Sequence, residues 1–253
     1  MKMKRVYICT DSITGIFSAI YDAWIERAQC DLGIVFHNEF EQELFCEYIK
    51  VEETQKKTLA VERMIQKNLG VLVYQDIYQA MLAHDADKGT AILGVLLEAQ
   101  RIPNSCKIME HLTNPHVEKI FELSRRVGAE AHQYKGFIRF RELKNGILLS
   151  EIEPKSQVLP CIAEHFSDRL PLENFMIYDR THEVFVVHQA KSKWVLVKGE
   201  KVKQEALSEV SDEQVKFEGL WREFCQSISI RERENLWLQR QNLPLRYRKH
   251  MVK

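Results

Sequence analysis

The chain has 253 residues, 45% hydrophobic and 28% charged, which is the balance of an ordinary globular protein. At that length roughly 70% or more of the unfolded surface is buried on folding, so no disulfide or metal staple is required. Basic and acidic residues balance at 36 each, which excludes a bulk polyanion binder and leaves only local electrostatic binding.

Arg5–Thr10 reads as a first strand, and Thr10-Asp11-Ser12 supplies turn and cap chemistry. The amphipathic helix GIFSAIYDAWIERAQ follows, with Phe17, Ile20, Tyr21 and Trp24 on one side. GIVF and CEYIKVE, around 33–36 and 46–52, are candidate strands. Thr54 caps the next helix and Gly70 stops it, and two apolar helical segments then run through LVYQDIYQAMLAH and GTAILGVLLEAQ. Between these two lies His84-Asp85-Ala86-Asp87-Lys88. A histidine and two carboxylates this close suit a metal or nuclease site, whereas Asp87 at a helix start suits a cap.

Thr113–Leu143 organises the chain. Asn114 and Pro115 start a helix whose apolar or small face is Val117, Ile120, Phe121, Ser124, Val127, Ala131 and Tyr134. Gly136 is expected to end it, and FIRFREL switches to the two-residue period of a strand. Arg125, His132, Lys135, Arg139 and Arg141 then surround one helix-to-strand corner. Such a corner suits phosphate, because arginine offers a planar fork and lysine a point charge. A solvated surface, or cross-strand pairs with Glu151 and Glu153, suits the same residues.

Asn145-Gly146 is the strongest hairpin signal in the chain. A two-residue turn there puts Arg139 and Arg141 on a face with Leu148 and Ile152; a one-residue slip sets them among the glutamates. VLPCIAEHFSDRLP reads as a short helix, and FMIYD, EVFVVHQ and KWVLVKG as a three-strand meander. The expected architecture is one α+β domain over 1–253: helical over about 1–135, an antiparallel sheet of about five strands over 136–200, and a C-terminal helix with a basic arm over 211–253.

That last helix starts at Ser211 and carries Phe217, Leu220, Trp221, Phe224 and Cys225. The arm holds Arg231, Arg233, Arg240, Arg246, Arg248, Lys249 and Lys253, interleaved with Trp237 and Tyr247. Cations mixed with rings suit a nucleic-acid strand, and equally a helix that packs its rings on the core. Arg125, His132, Lys135, Arg139, Arg141, Arg240, Arg246, Tyr247 and Arg248 are thus the candidate nucleic-acid-binding residues. No catalytic residue is singled out.

The six cysteines, Cys9, Cys30, Cys46, Cys106, Cys161 and Cys225, show no CxxC spacing, so neither a metal nor another cofactor is expected. Scattered thiols suit a reducing cytosol, and MKMKRVYICT has no sustained apolar run, so a cytoplasmic protein without membrane attachment is expected. GxGxxG, GxxxxGK[ST] and GxSxG loops are lacking.

Three stretches together resemble one bacterial family. They are RVYICTDSITGIFSAIYDAW; NPHVEKIFELSRRVGAEAHQYKGFIRFREL with VLPCIAEHFSDR and FMIYDR; and RERENLWLQRQNLPLRYRKHM. The family is a domain of unknown function connected with DNA metabolism and DNA repair. Its members are typically encoded beside a radical SAM protein related to spore photoproduct lyase, and some are fused to a uracil-DNA-glycosylase-like domain. AHQYKGFIRFREL is the most specific part. The family's first turn usually reads Asp-Gly where this chain has Asp11-Ser12, and an acidic residue usually stands at Gln157. The resemblance implies a DNA-binding accessory whose partner, a radical SAM protein, carries the cluster and the radical chemistry. The alternatives are an enzyme acting directly on DNA, glycosylase- or nuclease-like, through His132 or the His84–Asp87 segment, and an assembly protein whose basic corner grips an acidic protein surface.

Overall fold

A computed structural model describes residues 4–27, 31–37, 44–198, 210–229 and 235–248. Cys30 and the arm residues Arg231, Arg233, Lys249 and Lys253 lie outside them. The fold is α+β and divides into two compact units, residues 1–128 and 129–253. Among the described residues no helix is long and apolar enough to cross a membrane.

The first unit contains a three-stranded parallel sheet, order β2-β1-β3, from β1 (Lys4–Cys9), β2 (Asp31–Phe36) and β3 (Cys46–Lys50). All three run parallel, β1 and β2 because α1 (Ile13–Glu26) carries the chain back between them. Ser12 caps α1 by accepting the Gly15 N–H at 2.9 Å. Gly15 is needed there, since a Cβ would stand 2.4 Å from the Thr10 carbonyl oxygen. The buried face of α1 is Ile16, Phe17, Ala19, Ile20 and Ala23, while Tyr21 is exposed. Helices α2 (Gln55–Asn68), α3 (Val71–Met81) and α4 (Lys88–Ala99) follow. A 3₁₀ turn (Ser105–Glu110) precedes α5 (Pro115–Phe137). On α4, Thr90 Oγ accepts the Ile34 N–H and donates to the Ile34 carbonyl, both at 2.9 Å, which closes the outer edge of β2.

Lys88 is fully buried at the start of α4. Its ammonium donates to the Ala83 carbonyl at 2.6 Å, lies 2.6 Å from an Asp11 carboxylate oxygen, and sits over the Phe36 ring at 5.3 Å. A charge so enclosed depends on its partners. Asp87 occupies the N-cap position of α4 but forms no side-chain cap bond. Its neighbour Asp85 accepts the Asp87 N–H at 3.1 Å and pairs with Lys119 at 2.9 Å and Arg126 at 3.6 Å. Within the His84–Asp87 segment Asp85 is thus committed to structural contacts, while His84 and Asp87 are exposed, and among the described residues no three His, Cys, Asp or Glu side chains gather as a metal-ligand set.

The second unit is built on a five-stranded sheet, order β4-β5-β6-β7-β8: β4 (Arg141–Glu142), β5 (Leu148–Ile152), β6 (Phe175–Asp179), β7 (Val184–His188) and β8 (Val195–Lys198). It is mixed rather than antiparallel. β5 and β6 run parallel because α6 (Leu159–Arg169) forms a crossover between them, whereas the other neighbours are antiparallel. Ile152, Phe175, Ile177 and Val186 are buried, as are Ile162, Ala163 and Phe166 of α6. The opposite face buries Leu143, Leu149 and Phe185 beside Met176, Tyr178 and Val187. The chain ends in α7 (Asp212–Ile228), α8 (Leu236–Asn242) and α9 (Leu245–Arg248). Ser211 caps α7, and its N–H bonds the Glu142 carbonyl at 3.0 Å. No residue of α7 is buried among the described residues, so Phe217, Leu220, Trp221 and Phe224 form an exposed stripe.

Because Lys88 and Asp11 neutralise each other, either single change should cost more than the pair together. Lys88→Ala or Asp11→Ala is expected to lower stability by about 3 kcal/mol, and Asp11→Ala with Lys88→Met to recover much of that loss. Urea unfolding of all three variants measures the coupling, and strictly additive losses would mean that the pair does not act as one.

Candidate nucleic-acid interface

The site begins with the way α5 ends. Gly136 does not stop the helix; it lies within the last turn, which continues through Phe137, and the Ile138 N–H still bonds the Tyr134 carbonyl at 2.9 Å. The terminator is Arg139. Its guanidinium donates to the carbonyls of Gly136 at 2.9 Å and Ile138 at 2.8 Å, satisfying acceptors that a helix end leaves open. FIRF is thus spent on closing the helix, and only Arg141 and Glu142 enter the sheet. Glycine there costs the helix about 1 kcal/mol relative to alanine.

The hairpin decides where Arg141 points. Its loop has three residues, Lys144-Asn145-Gly146, with Gly146 at φ 76° and its N–H on the Leu143 carbonyl at 2.8 Å. That pairs Arg141 with Leu149, one residue away from the register of a two-residue turn. Arg141 consequently forms an ion pair with Glu151, which Arg180 also holds at 3.1 Å, while Arg180 reaches Glu153 at 3.9 Å. The cross-strand alternative therefore holds for Arg141.

Two recesses flank Arg139. The first is a groove of about 410 Å³ bordered by Lys135, Gly136, Ile138, Arg139, Phe140, Phe166, Arg169 and Leu170. Three of these are cationic and none is acidic. Neither Lys135 nor Arg169 forms an ion pair among the described residues. Phe140 is half-buried, edge-on to Phe166 at 5.4 Å and to Phe175 at 5.6 Å, so its ring is held in place. Beside the groove, burial pushes the Cys161 thiol up, with Lys135 pulling it part of the way back, so the thiol stays protonated at neutral pH.

The second recess, among Tyr134, Phe137, Arg139, Glu151, Glu153, Arg246 and Tyr247, is almost filled, with about 10 Å³ remaining. Tyr247 fills it. It is only 4% exposed, with its ring 4.9 Å from Tyr134 and 5.1 Å from Phe137, and its hydroxyl bonds Gln133. Arg246 lies 3.5 Å from Glu130, whose carboxylate accepts the N–H groups of Lys155 at 2.9 Å and Ser156 at 3.0 Å. Arg248 donates to the carbonyls of Leu243 at 3.0 Å and Gln239 at 2.8 Å. Arg246 and Tyr247 fasten α9 to α5, Arg248 ties α9 back to α8 and the residue after it, and the buried Tyr247 ring offers no open face for stacking. Arg240 is exposed on α8 and His132 is exposed on α5. Arg125, in the first unit, is exposed with its guanidinium 5.5 Å over the Phe121 ring.

Of the nine sequence candidates, Lys135 and Arg139 share the open groove. Arg169, Phe140 and Leu170 join them there without having been candidates. The signal for Arg169 was its place in the last turn of α6, but only the tertiary fold brings that end beside the end of α5.

If Tyr247 is the pin of the arm, Tyr247→Ala should cost about 3 kcal/mol and expose 235–248 to trypsin, while Tyr247→Phe keeps most of the stability. Thermal melting with limited proteolysis reads both effects. An unchanged melt with an intact arm would contradict that role.

No curated protein matches the chain. The profile of one family matches residues 86–253, from the segment just before α4 through the whole second unit. The chain that forms this basic groove therefore belongs to the DUF4130 family, a domain of unknown function.

Proposed function

We propose that the protein binds nucleic acid through the groove of its second unit and serves in DNA metabolism or repair as an accessory to a radical SAM enzyme. The observation that carries the binding is the lining of the groove: Lys135, Arg139 and Arg169 around Ile138, Phe140 and Leu170, with no carboxylate among them. In a chain with no net charge, three cations that form no ion pair among the described residues set up a local field suited to phosphate. Arg139 is already fixed by its carbonyl contacts, so its fork is pre-positioned. The resemblance of AHQYKGFIRFREL and its flanking stretches supports DNA as the nucleic acid and a radical SAM protein as the partner.

Binding is expected to be weak and strongly salt-dependent. Lys135→Gln with Arg169→Gln should weaken DNA binding and flatten the slope of log affinity against log salt by about 1.4 to 1.8, two phosphate contacts' worth, with the melting temperature almost unchanged. Fluorescence anisotropy across a salt series measures this. Binding that ignores salt, or none at low salt, refutes the reading. Arg139 is left intact in that variant because removing it would also uncap α5.

The partnership has its own test. Co-expression with a radical SAM protein of the kind the resemblance implies should place both chains in one gel-filtration peak. Separate peaks at micromolar concentration would leave DNA binding standing and remove the partnership.

A further inference from the structure

Resting on that reading, we infer that the groove takes an unpaired nucleotide: phosphate on Lys135, Arg139 and Arg169, base against Phe140. The occupant is thus a single strand or an unpaired stretch of DNA, not an intact duplex.

Three observations lead there. A duplex presents phosphates on its outside and hides its base faces, so a site for duplex backbone needs cations and no apolar floor. This groove has such a floor, with Ile138, Phe140, Phe166 and Leu170 between its cations. Only an unstacked base offers a face to such a surface. The volume, about 410 Å³, falls in the range that holds a small organic ligand and is too small for a helix of nucleic acid. The third observation is Gly136. It lies inside α5 with ordinary helical backbone, and a Cβ there would meet nothing within 4 Å. Neither backbone geometry nor close packing requires glycine at this position, yet it borders the groove, and a side chain grown from it would enter open space beside Lys135 and Arg139. Its bareness keeps the groove open at the cost of helix propensity.

The test uses the full chain, a fluorescein-labelled single-stranded oligothymidylate, and the blunt duplex made by annealing it to oligoadenylate. Anisotropy at low salt should show the single strand bound about tenfold or more tightly than the duplex. Gly136→Trp should fill the groove and remove that preference, while Gly136→Ala, a better helix former, should melt no lower than the parent and retain binding. Phe140→Leu, which keeps apolar bulk but removes the ring face, should weaken single-strand binding by about tenfold and leave duplex binding unchanged. Equal affinity for the two DNAs, with both lost in Lys135→Gln/Arg169→Gln, overturns the unpaired-nucleotide inference and leaves the nucleic-acid reading intact. Binding of neither DNA overturns both. Undiminished single-strand preference in Gly136→Trp and in Phe140→Leu places the base elsewhere and refutes the assignment of this groove.

Discussion

The way one guanidinium closes α5 governs the second unit. A helix leaves its last carbonyls without partners, and side chains or water must supply donors for them. Arg139 supplies two N–H contacts from a single side chain, to Gly136 and Ile138. That choice fixes the exit direction of the chain, so Ile138 and Phe140 turn inward and Lys135 remains on the rim of an open groove. The same arginine lies between that groove and the recess filled by Tyr247. Closure of the helix, attachment of the arm and presentation of the cations are therefore three effects of one terminus.

Charge in this unit is sorted rather than abundant. On the sheet side, Arg141 and Arg180 are matched by Glu151 and Glu153. On the arm side, Arg246 meets Glu130, a carboxylate already committed to two backbone N–H groups. These pairs hold elements together at modest strength where exposed, since water screens them. Lys135, Arg139 and Arg169 stand outside these pairs, and the fold brings the three together at the groove. A count of basic residues along the sequence cannot see this, because it weighs Arg141 and Arg169 alike.

Much of the fold was legible in the residues. The first strand, the Ser12 and Thr54 caps, the long central helix and the α+β class follow from periodicity and cap chemistry, and the structure has them. Three features were not legible, for separate reasons. Gly136 suggested a stop, but glycine is a stop only where the backbone turns left-handed, and here the arginine three residues later performs the closure. Asn145-Gly146 marked a hairpin correctly, yet the glycine serves a three-residue loop, which shifts the register by one and turns Arg141 toward Glu151. The parallel pairing of β5 with β6 required treating α6 as a crossover, a matter of topology that strand patterns do not encode. At the site, Lys135 and Arg139 could be named because they are close in sequence. Arg169 could not, because it reaches the groove from another helix.

The hydroxyl of Thr90 occupies both hydrogen-bonding groups of Ile34, where an incoming strand would otherwise attach. An open parallel sheet of three strands is a natural template for further growth, and β2 lies on its border. With a helix seated there, lateral extension on that side must first peel α4 away, and with it the buried Lys88. The border strand is thus guarded by the same helix that supplies a core charge, so edge-to-edge association of unfolded or swapped copies has to disrupt the interior before it can begin.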